Sequence, residues 1–376
     1  MKQHLLITGM SRSGTTLLQN LLSSHHGIDI LSQPIPMVYR HLKRDFYEKI
    51  NHSEDHYVLN HLFNEREYTP RQLNSFLEKK RINEVELRRL IHEMEEWSGQ
   101  KTVLHDYKKY LLPQTPLSLF TLYKTVLHTY CRTETNEVLG SKEILLEEFI
   151  PYFLKYKIKT ILIIRDPRDV ITSLNEGAGP KYVGKHRPML FHVRHWRNSV
   201  ALANTYNQHK NLLWIKYEDL VRQTYQCLQK ITNFLGLEQF SNDHFKKGIL
   251  TRDGNSWAGN SSTKAFSGID KNNTDKYKEF LDENTIKYVE FMCEPEMLKM
   301  KYKLNTNTSD YNPLTFEESY NIEINNLNPR MSTDKYEIDL ELARRKLLLN
   351  GEVNKQKIFD LFYDEKNFHV LRKSFQ

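Results

Sequence analysis

The sequence predicts an α/β protein, a parallel sheet with helices on both faces. Three observations carry that expectation, each a short apolar strand running into a helical repeat. His4-Leu5-Leu6-Ile7-Thr8 precedes Leu17, Leu18, Leu21 and Leu22 at helical spacing. Thr160-Ile161-Leu162-Ile163-Ile164-Arg165 precedes a helix opened by Asp166-Pro167, and Leu212-Leu213-Trp214-Ile215-Lys216-Tyr217 precedes a periodic stretch over residues 218–235. Strands joined through helices pair in parallel and bury both faces.

Each element follows from local chemistry. Residues 71–97 are densely charged, with Leu73, Phe76, Leu77, Ile82, Val85, Leu87, Leu90, Ile91 and Met94 at helical intervals, which marks an amphipathic insertion within about residues 65–135. Residues 116–130 read as a helix and 142–155 as another, kinked or divided at Pro151. The run 161–164 is too short for a helix and apolar on both faces, as a strand in the middle of a sheet must be. Asp166 is an acidic cap with Pro167 at the first helical position, and Gly236 ends the 218–235 repeat. Residues 175–188 and 251–270 read as loops, and 190–208, 276–301 and 337–372 as helical. The expected organisation is a core domain over residues 1–300 and a helical extension over 301–376 packed on it.

Composition narrows the function. The 376 residues hold 54 Lys plus Arg against 47 Asp plus Glu, a net charge of +7, with no block of five like charges to serve as a nucleic-acid tail or membrane anchor. A compact anionic ligand suits such a balance better. No apolar run approaches the ~20 residues of a membrane span, and the N-terminus reaches its first glycine turn without a signal-peptide pattern. Cys131, Cys227 and Cys293 are odd in number and widely spaced, which predicts reduced core thiols and a cytoplasmic protein rather than a disulfide or metal framework. Asn260-Ser261-Ser262 matches a glycosylation sequon, which has meaning only on secretion.

The chemistry concentrates after the first strand. Gly9-Met10-Ser11-Arg12-Ser13-Gly14-Thr15-Thr16 lies between a strand and a helix N-terminus, where backbone N–H groups and the helix dipole bind phosphate. The loop has the two Walker glycines but Thr15 where the Walker lysine belongs, so ATP would lack its β,γ-phosphate cation. The cation here is Arg12.

Residues 11–17 resemble the 5′-phosphosulfate loop of sulfotransferases, in the arginine form used by tyrosylprotein and many bacterial members. In that family an arginine ending a central strand, and a serine eight positions on, bind the 3′-phosphate; Arg165 and Ser173 match both. Tyr217-Glu218-Asp219 resembles the segment whose tyrosine lies near the adenine, a strand-end core aromatic being the alternative. Trp257 to Ser262 fall where relatives close a loop over the donor. The resemblance implies a P-loop-like three-layer sandwich that transfers a sulfuryl group from 3′-phosphoadenosine 5′-phosphosulfate (PAPS) to a hydroxyl or amine, without a metal. Donor contacts fall on Arg12, Ser13, Gly14, Thr15, Thr16, Arg165, Ser173 and Tyr217.

Sulfuryl transfer needs a cation at the leaving phosphate oxygen and a base at the acceptor. By resemblance Arg12 and Lys142 supply the cations, although Lys142 also reads as a solvated helix-start lysine. Relatives use a histidine two positions after that lysine, here Ile144, or a glutamate near Gln33; neither residue here can take a proton. Glu143 is therefore the leading base, with His25 and His26 behind it. The acceptor is a small molecule or a carrier- or peptide-bound group. The alternatives are a small-molecule or nucleotide kinase and a nucleotide-binding module without catalysis.

Overall fold

The computed structural model describes residues 2–51, 68–98, 104–132, 136–175, 188–240, 248–257, 259, 269–318, 335–350 and 354–375. In chain order the first part holds β1 (Gln3–Thr8), α1 (Thr15–Ser23), β2 (Ile28–Ser32), α2 (Pro36–Asn51), α3 (Pro70–Lys79), α4 (Glu84–Ser98), α5 (Tyr107–Tyr110) and α6 (Leu119–Tyr130). The sheet continues through β3 (Val138–Lys142), α7 (Ile150–Lys155), β4 (Lys159–Ile164), α8 (Pro167–Asn175), α9 (Met189–Thr205), β5 (Leu212–Lys216), α10 (Tyr217–Arg222) and α11 (Thr224–Leu235). Helices α12 (Tyr277–Phe280), α13 (Glu283–Lys299), α14 (Lys335–Asn350), α15 (Lys355–Leu361) and α16 (Glu365–Phe375) follow.

All five strands are parallel in the order β2-β3-β1-β4-β5. The alternation of side chains in a strand divides the apolar residues between two faces. Leu5 and Ile7, with Ile28, Ile30, Val138, Ile161, Ile163 and Ile215, pack on the leucines of α1 and on α11. On the other face Leu6, Leu31 and Leu139 meet α2, α3, α4 and α6, while Leu162 and Ile164 meet α8, α9 and α13. The result is the predicted three-layer sandwich.

Several expectations change. Among the described residues the sheet has five strands, two beyond the three read from the sequence: β2 reads Ile-Asp-Ile-Leu-Ser and β3 Val-Leu-Gly-Ser-Lys, both short and interrupted by polar or small residues. Residue 142 consequently ends a strand; the helix predicted over 142–155 is a 3₁₀ turn at Glu147–Phe149 followed by α7, with Pro151 in its first turn. The amphipathic stretch over 71–97 is two helices, separated where Ile82 bridges Leu117 in antiparallel fashion. A break at Gln223 splits the 218–235 helix, and Gly236 caps it with φ 69° as expected of a left-handed terminus. The loops at 176–187 and 260–268, with the sequon, lie outside the described residues.

Helices α14 and α16 pack on the core through α9 and α13. Buried Arg194 of α9 pairs with Glu337 and Glu341, Arg197 pairs with Glu341, and Arg344 pairs with Glu296.

Candidate active site

In a parallel sheet, ligands bind beyond the C-terminal ends of the strands, where the chain order reverses. Here the reversal flanks β1, between β3 and β4. The strand ends bring Gln33 (after β2), Lys142 (β3), the 9–14 loop (after β1), Arg165 (after β4) and Tyr217 (after β5) to one edge of the sheet.

The loop is shaped by its glycines. A side chain on Gly9 would place Cβ 2.5 Å from the Ile163 carbonyl oxygen. Gly14, at φ 98°, holds the N-cap position of α1, and a Cβ there would lie 2.3 Å from Cδ2 of Tyr217. Arg12 itself adopts φ 70°, an uncommon conformation for a residue with a side chain. Thr15 and Thr16 open α1, and the Ser13 hydroxyl is buried with no hydrogen-bond partner among the described residues.

Arg165 crosses to this loop. Its guanidinium donates to the Arg12 carbonyl at 3.3 Å and to the Asn273 carbonyl at 2.7 Å, and Asp169 stands 3.7 Å away. The Trp196 indole N–H donates to the Arg165 carbonyl at 2.7 Å, anchoring the strand end to α9. Arg165 Nε is buried and unpartnered among the described residues. The Arg12 Nε–H in turn donates to Ser173 Oγ at 2.9 Å, so the two separate sequence segments meet. Asp166 caps α8 as predicted, accepting the Arg168 N–H at 2.9 Å.

The Tyr217 ring is buried beneath Gly14, with the Arg165 guanidinium 4.4 Å from its centre and its hydroxyl accepting from the Asn273 amide at 2.7 Å. It is a wall of the site. Its neighbour Glu218 joins the two strand ends, accepting the Asp166 N–H at 2.9 Å and the Tyr302 hydroxyl at 3.0 Å.

Lys142 is 3% exposed, and its ammonium donates to Gln33 Oε1 at 3.1 Å. Glu143 is also buried, and its Oε1 has no partner among the described residues. Burial pushes Lys142 down to about 8, partly offset by Glu143, and pushes Glu143 up to about 8, partly offset by Lys142 and an Ile35 N–H. The segment after Lys142 runs along the loop: the Glu143 N–H donates to the Ile7 carbonyl and the Leu145 N–H to the Gly9 carbonyl.

His25 and His26 lie at the other end of α1, where the chain enters β2, and so at the opposite edge of the sheet. His25 Nδ1 accepts from the Gly27 N–H and Nε2 meets the Glu238 carbonyl, each at 3.0 Å. Their position removes them from the group around Lys142. Trp257 is half-buried against the α1–α11 layer, while most of the loop that follows lies outside the described residues. One histidine–carboxylate group among the described residues, His41 with Asp45 and Glu86, has the proximity of metal ligands, but the Lys80 ammonium lies 2.6 and 2.7 Å from its carboxylates. The three cysteines are buried and unpaired, and no helix among the described residues is long and apolar enough to cross a membrane.

A model of the sulfotransferase domain family matches residues 2–301. No curated protein matches the chain. Similar solved structures include the sulfotransferase domain from the curacin biosynthetic pathway, with 17% identity and a TM-score of 0.42 over 81% of this chain and 99% of that one. The sulfotransferase domain from the Synechococcus PCC 7002 olefin synthase has 18% identity and a TM-score of 0.36 over 75% of this chain and 90% of that one. Retinol dehydratase in a complex with retinol and PAP has 16% identity and a TM-score of 0.37 over 82% and 84%.

Proposed function

The chain belongs to the sulfotransferase domain family, a PAPS-dependent sulfotransferase by that membership, and we propose that the C-terminal edge of its sheet is where donor and acceptor meet. The observation that carries the placement is the union of the two anion-directed segments through Arg12 and Ser173. Ser13 Oγ and Arg165 Nε are buried donors without partners among the described residues, which is the chemistry that two phosphate groups would satisfy. Arg165 and Ser173 would take the 3′-phosphate. Arg12, Ser13, Gly14, Thr15 and Thr16 would take the phosphosulfate at the positive end of α1, with Tyr217 walling the pocket. The kinase reading is not favoured, because Thr15 stands where its lysine would be.

The donor supplies an activated sulfuryl group. Arg12 and Lys142 provide positive charge at the oxygen that becomes anionic on transfer, and a low-dielectric setting strengthens both. Glu143 takes the proton from the acceptor hydroxyl or amine; its raised pKa brings it near the working pH, where a base is most effective. The acceptor is a small molecule or a carrier- or peptide-bound group.

A melting-temperature comparison tests the donor assignment. Adenosine 3′,5′-bisphosphate (PAP) should raise the melting temperature, and ATP with Mg²⁺ should not; the reverse result rejects it. Labelled PAPS incubated with cell extract, followed by a mass search for products heavier by one SO₃ group, identifies the acceptor.

A further inference from the structure

We infer that Gln33 is the positioning residue of Lys142, a neutral clamp that holds the buried ammonium at the site without cancelling its charge. This rests on the reading of Lys142 as a cation of the transfer reaction.

The clamp follows from strand register. Ser32 at the end of β2 lies opposite Lys142 at the end of β3, so the next residue, Gln33, sits beside the lysine. Its N–H donates to the Lys142 carbonyl at 2.8 Å and its side chain accepts from the Lys142 ammonium at 3.1 Å. Gln33 is therefore tied to one residue through both backbone and side chain. It adopts φ 46°, a left-handed conformation that residues with a Cβ avoid and that the surrounding bonds must hold in place. An ammonium has donors only, so the oxygen of the glutamine amide must face it.

The choice of amide over carboxylate has a chemical consequence. Among the described residues the hydrogen-bond acceptor of Lys142 Nζ is Gln33 Oε1 and no carboxylate pairs with it at contact distance, Glu143 acting on it only through space. A carboxylate at position 33 would stand about 3 Å from the ammonium, neutralise much of its field and stabilise its proton. Glutamine supplies direction without that opposing charge, leaving the cation available to an anion that forms during transfer.

The test titrates Lys142 directly. Its acetylation by acetic anhydride is followed against pH by peptide mass spectrometry in the unmodified protein and in Gln33→Glu and Gln33→Met, with far-UV circular dichroism confirming that each is folded. Gln33→Glu should move the midpoint of Lys142 labelling up by ~1–3 pH units. Gln33→Met, similar in size but without the acceptor, should leave conversion of PAPS to PAP reduced ~10-fold at unchanged KM for PAPS, and Gln33→Asn should not restore it because its amide is one methylene short. An unchanged labelling midpoint in folded Gln33→Glu, or full turnover in Gln33→Met, overturns the inference. Lys142→Ala separates the two claims: if it retains full turnover while Gln33→Glu still shifts the Lys142 midpoint, the contact stands and the catalytic reading of the lysine fails.

Discussion

The Arg12 Nε–H donates to Ser173 Oγ at 2.9 Å, across 161 positions of sequence. One residue lies in the turn after β1 and the other on the second turn of the helix after β4, and those two strands are neighbours in the sheet. The bond joins the 9–14 loop and the 165–173 segment into one surface. It also means that a perturbation in either segment reaches the other.

Arg165 and Lys142 should separate binding from turnover. Arg165→Ala removes charge-assisted hydrogen bonds worth about 1.5–3 kcal/mol, so PAP affinity should fall ~10–100-fold. Lys142→Ala should leave PAP affinity within a few-fold and lower the rate at saturating PAPS. Calorimetric titration with PAP and a PAP-release assay measure the two quantities; equal effects of both substitutions on both would contradict the assignment.

Gly14→Ala should fail for two reasons at once. The left-handed backbone at φ 98° costs a residue with a Cβ about 1–2 kcal/mol, and the new methyl group would overlap Tyr217. A loss of ~2–4 kcal/mol in urea-unfolding free energy is expected, together with loss of PAP binding. Adding Tyr217→Ala should relieve the overlap but not the backbone strain, and a double-mutant cycle reads the difference.

The transfer rate should be bell-shaped in pH with its maximum near 8. In the proposed role Glu143 takes a proton only when ionised, which occurs as pH rises through about 8, while Lys142 loses its proton over the same range. Lys142→Arg should remove the alkaline limb, because a guanidinium stays charged throughout. An alkaline limb that persists in this variant would assign it to another group.

The C-terminal helices should depend on Glu341. Burial opposes its ionisation, but Arg197 and Arg194 outweigh burial and hold its carboxyl well below the usual carboxylate range. The folded value lies below the unfolded one, so this stabilisation is present above about pH 4.5 and is lost as pH falls towards the folded value. Glu341→Ala would take the paired carboxylate from the buried Arg197 guanidinium and leave Arg194 with Glu337 alone, and should cost about 3–5 kcal/mol, read by urea unfolding at neutral pH. A cost below 1 kcal/mol would show that the two arginines find other partners.

Apolar runs in residues 4–8, 160–165 and 212–217, each with a helix behind it, determine the α/β class from sequence alone, because burial of both strand faces is written in consecutive residues. The 9–16 loop was legible for a similar reason: glycines, hydroxyls and arginine lie within one turn. Strands β2 and β3 were not, since Asp29 in one and Gly140, Ser141 and Lys142 in the other break the apolar pattern. What makes them strands is their neighbours: Asp29 is buried with its carboxylate held by Arg252, whose guanidinium forks onto both oxygens, and by Arg132, which donates through its guanidinium and its backbone N–H, both distant in sequence. The exclusion of His25 and His26, the clamp of Gln33 on Lys142 and the ion pairs that fasten α14 were likewise decided only in the tertiary structure. A hydrophobic repeat is local and periodic, whereas a hydrogen bond or ion pair between side chains leaves no trace in the chain until register and packing bring its partners together.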